Sequence, residues 1–571
     1  MRKLVFLSLI SLFMVSCGST LSRKQNPRQP NEESTIDSTA IEAPQQDALE
    51  QPKLIVGIVV DQMRYDYLTR FYSRYGNDGF KRLMKDGFNF TNNHYNFIPT
   101  YTAPGHASIY TGTTPADHGI IGNNWYDKFK GEYIYNTDDA NVVSIGIEDD
   151  KEGKMSPRRL LSSTVTDELE LFTQGRAKVI GISIKDRGAI LPAGHAADAA
   201  YWMRGGDKGI FISSSFYMDA APLWVQQFNN SNPAAKYLKE WNTLYPIETY
   251  LASGPDLNDY ERAPRSKEQA IFPYDLANLA AENGNYSLIK STPYGNSFVA
   301  DFAIAAITNE QMGQDNTPDF LAVSFSSTDY VGHQYGVNSV EIEDTYLRLD
   351  KDIARLLNHL DQEVGDGNYT VFLTADHGAV NVPAYLKEKK FNAGYFNERD
   401  FVRDLDTALT EKFGNGKLIR NVSNDQVFLN MQSVESIDAS SQEVEEFIAS
   451  FARNYPGIDK AYTRTAMVST GFTGGMAAMV QRGFHQQRSG DVIFVLDPAV
   501  IVYGDKGSTH GSLQSYDTHV PLLFYGYGIQ KGRSTDRTSI TDVAPTISSL
   551  LQISFPNSAT GKPLTKALKQ L

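Results

Sequence analysis

Leu54-Ile55-Val56-Gly57-Ile58-Val59-Val60-Asp61-Gln62 is an unbroken apolar run that stops on a carboxylate. A half-exposed strand alternates apolar with polar residues, whereas a run without alternation reads as a strand buried on both faces, as in a parallel sheet. Three more segments repeat the design. Phe320 to Phe325 (FLAVSF) leads through Ser326, Ser327 and Thr328 to Asp329, and Tyr369 to Thr374 (YTVFLT) leads to Ala375, Asp376, His377 and Gly378. Lys178 to Ile184 (KVIGISI) delivers Lys185, Asp186 and Arg187. Helical patterns lie between them, for instance Glu341 to His359. This alternation predicts an α/β fold, a doubly wound and mostly parallel sheet sandwiched by helices, whose ligands bind beyond the carboxyl ends of the strands. All four polar clusters fall at that edge.

Composition narrows the chemistry available there. With 41 % apolar and 21 % charged residues, the 571-residue chain can bury a large core and is neither disordered nor collagen-like. Lys and Arg number 53 against 67 Asp and Glu, a formal charge of −14, which counts against a nucleic-acid polymer as partner. One cysteine excludes an internal disulfide framework and any cysteine-rich zinc module, so a metal site must use His, Asp and Glu.

That cysteine ends the first segment. Met1 to Cys17 carries two positive charges, an apolar run from Leu4 to Val15, then Ser16 and Cys17. The run is shorter than the roughly 20 residues of a membrane-spanning helix and reads as a signal peptide. Met14-Val15-Ser16-Cys17 resembles a bacterial lipoprotein cleavage site, so the expectation is an exported protein, periplasmic or outer-membrane-associated, that meets a membrane only through a lipid on Cys17. Residues 18–52, rich in Ser, Thr, Gln, Asn, Pro and Glu, read as a flexible tether. The catalytic domain is expected over residues 53–571, with inserts near 200–300, where aromatic residues are frequent and mostly assigned to packing, and near 400–495. A monomer is expected.

Asp329 and His333 are four apart, on one face if the segment turns helically after its strand. Asp376 and His377 are adjacent and can reach two neighbouring centres. Gly507-Ser508-Thr509-His510-Gly511 offers another histidine among turn-forming residues. An aspartate closing a strand is commonly a turn or a cap, so the weight lies on the conjunction. Three aspartates converging without cations would repel one another and raise each other's pKa. Two divalent ions remove that cost, and a mixed His and carboxylate set suits zinc. His94, His106, His118, His195, His359, His485 and His519 are read as structural or surface residues.

Between the first two clusters lies Thr100-Tyr101-Thr102-Ala103-Pro104-Gly105-His106. Pro104 is placed as an early helix residue, with Thr102 at or just outside the helix start. A helix start offers free N–H groups and a positive dipole end that favour a bound oxyanion such as phosphate. The threonine hydroxyl is a poor nucleophile until a metal lowers its pKa.

Asp61, the Thr102-x-Pro-Gly-His stretch, Gly119-Ile120-Ile121-Gly122-Asn123-Asn124, Asp329-x-x-x-His333, Asp376-His377-Gly378 and Thr509-His510-Gly511 follow in the order of the alkaline phosphatase superfamily. The chain resembles most the phosphate-irrepressible, PafA-type alkaline phosphatases, and next the nucleotide pyrophosphatase/phosphodiesterases, from Lys53 to about Leu564. The resemblance implies two Zn2+ ions. One would be held by Asp329, His333 and His510, the other by Asp61, Asp376 and His377, with Thr102 as nucleophile and ligand. Asn123 would hold a phosphoryl oxygen, with Asn124 the weaker candidate by spacing. It implies hydrolysis of small-molecule phosphate monoesters through a phosphothreonine, with a phosphodiesterase as the alternative. Lys185 and Arg187 are the Lys-x-Arg pair that, in the monoesterase branch, contacts the extra oxygen of a monoester dianion. Sulfatases need Cys or Ser where Thr102 stands and Arg where His106 stands, which counts against sulfatase activity. No ligand position is missing, which speaks against a catalytically dead scaffold.

Overall fold

The computed structural model describes residues 51–148, 150–414 and 416–569. The signal peptide, Cys17 and nearly all of the tether lie outside them. The central sheet has ten strands: β1 (Leu54–Val60), β2 (Phe88–Phe90), β3 (Ser144–Ile145), β4 (Val179–Ser183), β5 (Ala199–Arg204), β6 (Ile210–Ser214), β7 (Asp319–Phe325), β8 (Tyr369–Thr374), β9 (Leu522–Gly526) and β10 (Gly532–Ser534). Across the sheet they run β10-β2-β9-β8-β1-β7-β4-β5-β6-β3. The five strands from β8 to β5 are parallel, and antiparallel pairs flank them on both sides. β1 is at the centre, and every one of its residues is buried.

The register decides where the functional side chains emerge. Val59 pairs with Ser324 and with Thr374, and Ser324 pairs with Ser183, so β1, β7, β8 and β4 end level with one another. Asp61, Asp329, Asp376, His377, Lys185 and Arg187 therefore start from one edge. Helices α1 (Thr102–Thr111), α2 (Asp186–Ala193), α3 (Tyr294–Asn309), α4 (Ser327–Tyr335) and α5 (Val340–Leu360) pack around the sheet. The hydroxyl of Ser339 caps α5 by accepting from the Ile342 N–H at 3.1 Å.

The aromatic stretch near 200–300 divides differently from the sequence expectation. Its first part is strands β5 and β6, and its end is the start of α3, so only the intervening residues form an excursion. Phe211, Phe298 and Phe302 pack together there as core, with Phe228 against them. Residues 398–496 hold a four-stranded antiparallel sheet with strands Ile419–Ser423, Gln426–Leu429, Ile458–Thr463 and Val492–Leu496, plus helices Glu398–Phe413 and Ser441–Arg453. This unit has its own core of Phe401, Leu405, Val444, Ile448 and Phe494.

Gly57 interrupts the branched residues of β1 because α1 lies directly on it. A Cβ there would meet Tyr110 Oη at 2.5 Å and the Phe372 ring at 2.6 Å. Gly57→Val should therefore lower stability by about 1–3 kcal/mol through overpacking. An unchanged urea midpoint would show that α1 does not rest on the strand at this point.

Candidate active site

α1 begins at Thr102. Tyr101, extended, is its N-cap and makes no side-chain cap bond. The missing cap comes from elsewhere: Asn123 Oδ1 accepts from the Ala103 N–H at 2.9 Å. Asn123 is fixed in turn by Asn136, whose backbone and side-chain N–H groups donate to its carbonyl. With its oxygen engaged, Asn123 presents its amide N–H2 at the helix start, while the side chain of Asn124 is exposed. Gly105 lets α1 approach the end of β8, since a Cβ there would collide with the Asp376 carbonyl.

Thr102 is 1 % exposed, and its hydroxyl accepts from Lys185 Nζ at 3.4 Å. The same ammonium lies 2.7 Å from Asp61 Oδ2 and 2.6 Å from Asp329 Oδ2. Burial disfavours its charge, but Asp329 and Asp61 outweigh that and hold its pKa above the usual lysine value. Asp329 has the mirror-image balance: burial pushes its carboxyl up, while His333 and Lys185 bring it well below the usual range. Burial and then the Asp61 charge push Asp376 well above its usual range.

The three histidines share one arrangement. Nδ1 of His333 donates to the Ser508 carbonyl at 2.7 Å, Nδ1 of His377 to the Gly378 carbonyl at 2.9 Å, and Nδ1 of His510 to the Thr100 carbonyl at 2.8 Å. A carbonyl can only accept, so Nδ1 carries a proton in all three; the neutral rings are left with a bare lone pair on Nε2, whereas on His333 burial disfavours the second proton but the Asp329 charge outweighs it and holds that pKa above the usual histidine value. His333 Nε2 faces Asp329 Oδ1 at 3.2 Å, His510 Nε2 faces the same oxygen at 3.6 Å, and His377 Nε2 lies 3.5 Å from both Asp61 Oδ1 and Asp376 Oδ2. Burial lowers the His377 pKa to about 3, and burial with the neighbouring His377 lowers His510, so both are neutral. Asp61 Oδ1, Asp376 Oδ2 and His377 Nε2 are buried without a hydrogen-bond partner.

Bare imidazole nitrogens aimed at carboxylate oxygens, each ring fixed by a backbone carbonyl, are the donor set and outer support of a metal site. The residues fit divalent ions. Two groups are compact enough to hold one: Asp329, His333 and His510, and Asp61, Asp329 and His377. The first is the trio expected from the sequence. In the second, Asp329 stands beside Asp61 and His377, and Asp376 adjoins through its contact with His377.

Lys185 and Arg187 follow β4, Lys185 as the N-cap of α2. Arg187 Nη1 donates to Tyr135 Oη at 2.8 Å, and that hydroxyl donates to Asp186 Oδ1 at 2.7 Å. Arg187 Nε is buried without a partner. Tyr135 escaped the sequence reading. It ends the hairpin of Asn124–Asp127 and Glu132–Tyr135, in which it pairs with Asn124, so one hairpin brings the Arg187 support back beside Asn123. Gln62 also escaped. At φ 65° it turns the chain after β1, donating its N–H to Asp376 Oδ1 at 3.1 Å and its side-chain amide to Asp329 Oδ1 at 2.7 Å. His106, read as structural, donates Nδ1–H to the Thr102 carbonyl at 2.9 Å and lies 3.4 Å from Asp376 Oδ2.

The family model of type I phosphodiesterases and nucleotide pyrophosphatases matches residues 55–520. The chain is 46 % identical over 527 residues to a Myroides odoratus protein named as a calcium-transporting ATPase, covering 91 % of this chain and 96 % of that one. It is 43 % identical over 537 residues to alkaline phosphatase PafA of Elizabethkingia meningoseptica (93 % and 97 % covered). It is also 43 % identical over 564 residues to alkaline phosphatase PhoV of Synechococcus elongatus (98 % and 99 %). The crystal structure of wild-type PafA superimposes with a TM-score of 0.88 at 42 % identity, covering 92 % of this chain and 100 % of that one. Among the described residues no helix is long and apolar enough to cross a membrane. Matched over nine-tenths of its length at this identity, the chain belongs to the type I phosphodiesterase / nucleotide pyrophosphatase family, in the part of it that contains the PafA and PhoV alkaline phosphatases.

Proposed function

We propose that this chain hydrolyses its substrates with two zinc ions and a phosphothreonine on Thr102. That it is a phosphomonoesterase follows from its 43 % identity to two named alkaline phosphatases over nearly its whole length. The observation carrying the finer reading is a buried threonine hydroxyl at a helix start, ringed by carboxylates and three histidines whose Nδ1 atoms are tied to backbone carbonyls, which turns each Nε2 toward the carboxylates. Asp329, His333 and His510 would hold one ion, and Asp61, Asp376 and His377 the other, with Thr102 adjoining. Bound there, divalent ions supply the positive charge that offsets the three carboxylates and lowers the pKa of the Thr102 hydroxyl.

The chain's own residues do the positioning. The Thr102 hydroxyl gives its proton to water, Oγ bonds to phosphorus as the ester oxygen–phosphorus bond breaks, and the leaving alkoxide takes a proton from water. A water oxygen then bonds to phosphorus as the Thr102–phosphorus bond breaks, releasing inorganic phosphate and restoring the hydroxyl. The Asn123 amide and the α1 N-terminus donate to phosphoryl oxygens. Lys185, already 3.4 Å from Thr102 Oγ1, and the unpartnered Arg187 Nε reach the oxygen that a monoester has and a diester carries as an ester. Tyr135 and Asp186 hold the Arg187 fork in place.

Metal analysis of the purified chain should return two zinc ions. Thr102→Ala should lose at least about 10³-fold in kcat, because it removes the atom that forms the bond; near-normal turnover with zinc in place would sink the covalent route.

Tyr135→Phe deletes the hydroxyl that accepts from Arg187 and donates to Asp186, so kcat/KM for an aryl phosphate monoester should fall at least about tenfold, with the methyl diester unaffected. Equal losses on both esters would remove the monoester role of Arg187 and favour the phosphodiesterase reading.

Cys17 is proposed to carry lipid after export, which its place in Met14-Val15-Ser16-Cys17 supports. Cys17→Ser should move the enzyme from the membrane fraction to the soluble periplasmic one; unchanged partitioning would refute lipidation.

A further inference from the structure

The hairpin of Asn124–Asp127 and Glu132–Tyr135 carries substrate-site residues at both ends: Asn123 precedes its first strand, and Tyr135, which holds Arg187, closes its second. A hairpin of two short strands is marginal on its own and takes its position from what packs against it. Here that support is one strand of the inserted unit. Arg420 Nε donates to Tyr126 Oη at 3.0 Å, and the Asn421 amide donates to Tyr133 Oη at 2.6 Å. Tyr126 and Tyr133 are directly paired across the hairpin, so neighbouring residues of the strand Ile419–Ser423 grip one rung of it. Just past that strand, the Asn424 amide donates to the Asn124 carbonyl at 2.7 Å. Lys128 Nζ in turn reaches the Ser489 carbonyl of the same unit at 3.0 Å, and the Arg488 guanidinium lies over the Trp125 ring.

Asn424 differs from the other contacts in what it holds. Ser423 pairs with Gln426, so Asn424 and Asp425 form a two-residue turn, and both have left-handed backbone, at φ 52° and 57°. Such turns join antiparallel strands tightly, and Asn and Asp tolerate the conformation. The turn is itself fixed: the Asp425 carbonyl accepts from the Phe494 N–H at 2.9 Å, and Gln426 Oε1 from the Gly490 N–H at 2.7 Å. The two carbonyls that follow the Asn123 α-carbon are then both tied down, its own by Asn136 and that of Asn124 by Asn424. Gly122 leaves room for the approach, since a Cβ there would lie 3.2 Å from Asn424 Nδ2. Asn123 Oδ1 is engaged by the Ala103 N–H, so the aim of its amide N–H2 follows how this stretch of backbone is held.

We propose that Asn424 is a positioning residue for the reaction: by holding the Asn124 carbonyl it aims the Asn123 amide, and the inserted unit is thereby the support of the phosphoryl-binding hairpin. The role rests on the proposed donation of Asn123 to a phosphoryl oxygen. Monoesters and diesters both present that oxygen, so the consequence differs from that of Tyr135, which acts through Arg187 on the oxygen that a diester carries as an ester.

Asn424→Gly deletes the amide and keeps the left-handed turn without strain. In the zinc-loaded full chain it should lower kcat/KM about tenfold for an aryl phosphate monoester and for its methyl diester alike, with a thermal midpoint within about 3 °C of the wild type. Asn424→Asp sets a carboxylate against the Asn124 carbonyl and should lose at least as much; it decides by the same comparison if Asn424→Gly fails to fold. Asn123→Ala should lose activity on both esters, and adding Asn424→Gly to it should lower kcat/KM by less than about twofold more. An equal further loss in that background, wild-type turnover of Asn424→Gly, a loss confined to the monoester, or a loss that comes with a collapsed thermal midpoint would overturn the positioning role. Wild-type rates in Asn123→Ala would instead remove the phosphoryl contact on which that role stands.

Discussion

Three aspartates brought to one buried edge are the constraint on which the rest of this structure depends. Asp61 and Asp376 are fully buried and Asp329 nearly so. A carboxylate in such surroundings stays ionised only beside positive charge, and like charges at close range push each other toward the protonated form. The opposite shifts of Asp329 and Asp376 record this: the one beside His333 and Lys185 is held down, and the one facing Asp61 is driven up. The surrounding residues supply positive charge or directed donors. Lys185 bridges Asp61 and Asp329, Gln62 donates to Asp329 and Asp376, and three histidines present lone pairs that only a cation or a proton can use. An anionic substrate enters this local field and not the net charge of −14, which is why an acidic chain can turn over phosphate esters.

What the sequence exposed follows from burial. β1, β7 and β8 are covered on both faces, so their apolar runs are continuous and their ends are marked by the first polar residue. The run Lys178 to Ile184 likewise contains β4, one residue shorter at each end. Asp329 and His333 were legible because four residues is one helical turn, and α4 does begin just before them. Gln62, Tyr135 and His106 were not. Gln62 acts through a left-handed turn that an ordinary glutamine does not advertise. Tyr135 reaches Arg187 only through hairpin pairing across the Asn124–Tyr135 register. His106 lies one turn along α1, in a motif already explained by Thr102. The insert boundary near residue 200 misled for a similar reason: aromatic content there reflects the edge of the sheet and the helix on it, since Trp202 and Phe211 belong to β5 and β6.

The catalytic histidines also have to be held in place. α4 has nine residues and carries Asp329 and His333, while His510 comes from a loop held by backbone bonds to residues 260 and 333. Neither a short helix nor a loop is rigid by its own hydrogen bonds, since both end in groups that something else must satisfy. Residues 254–262 satisfy them, contacting Gln334 beside the helix end and Gly507 in the loop.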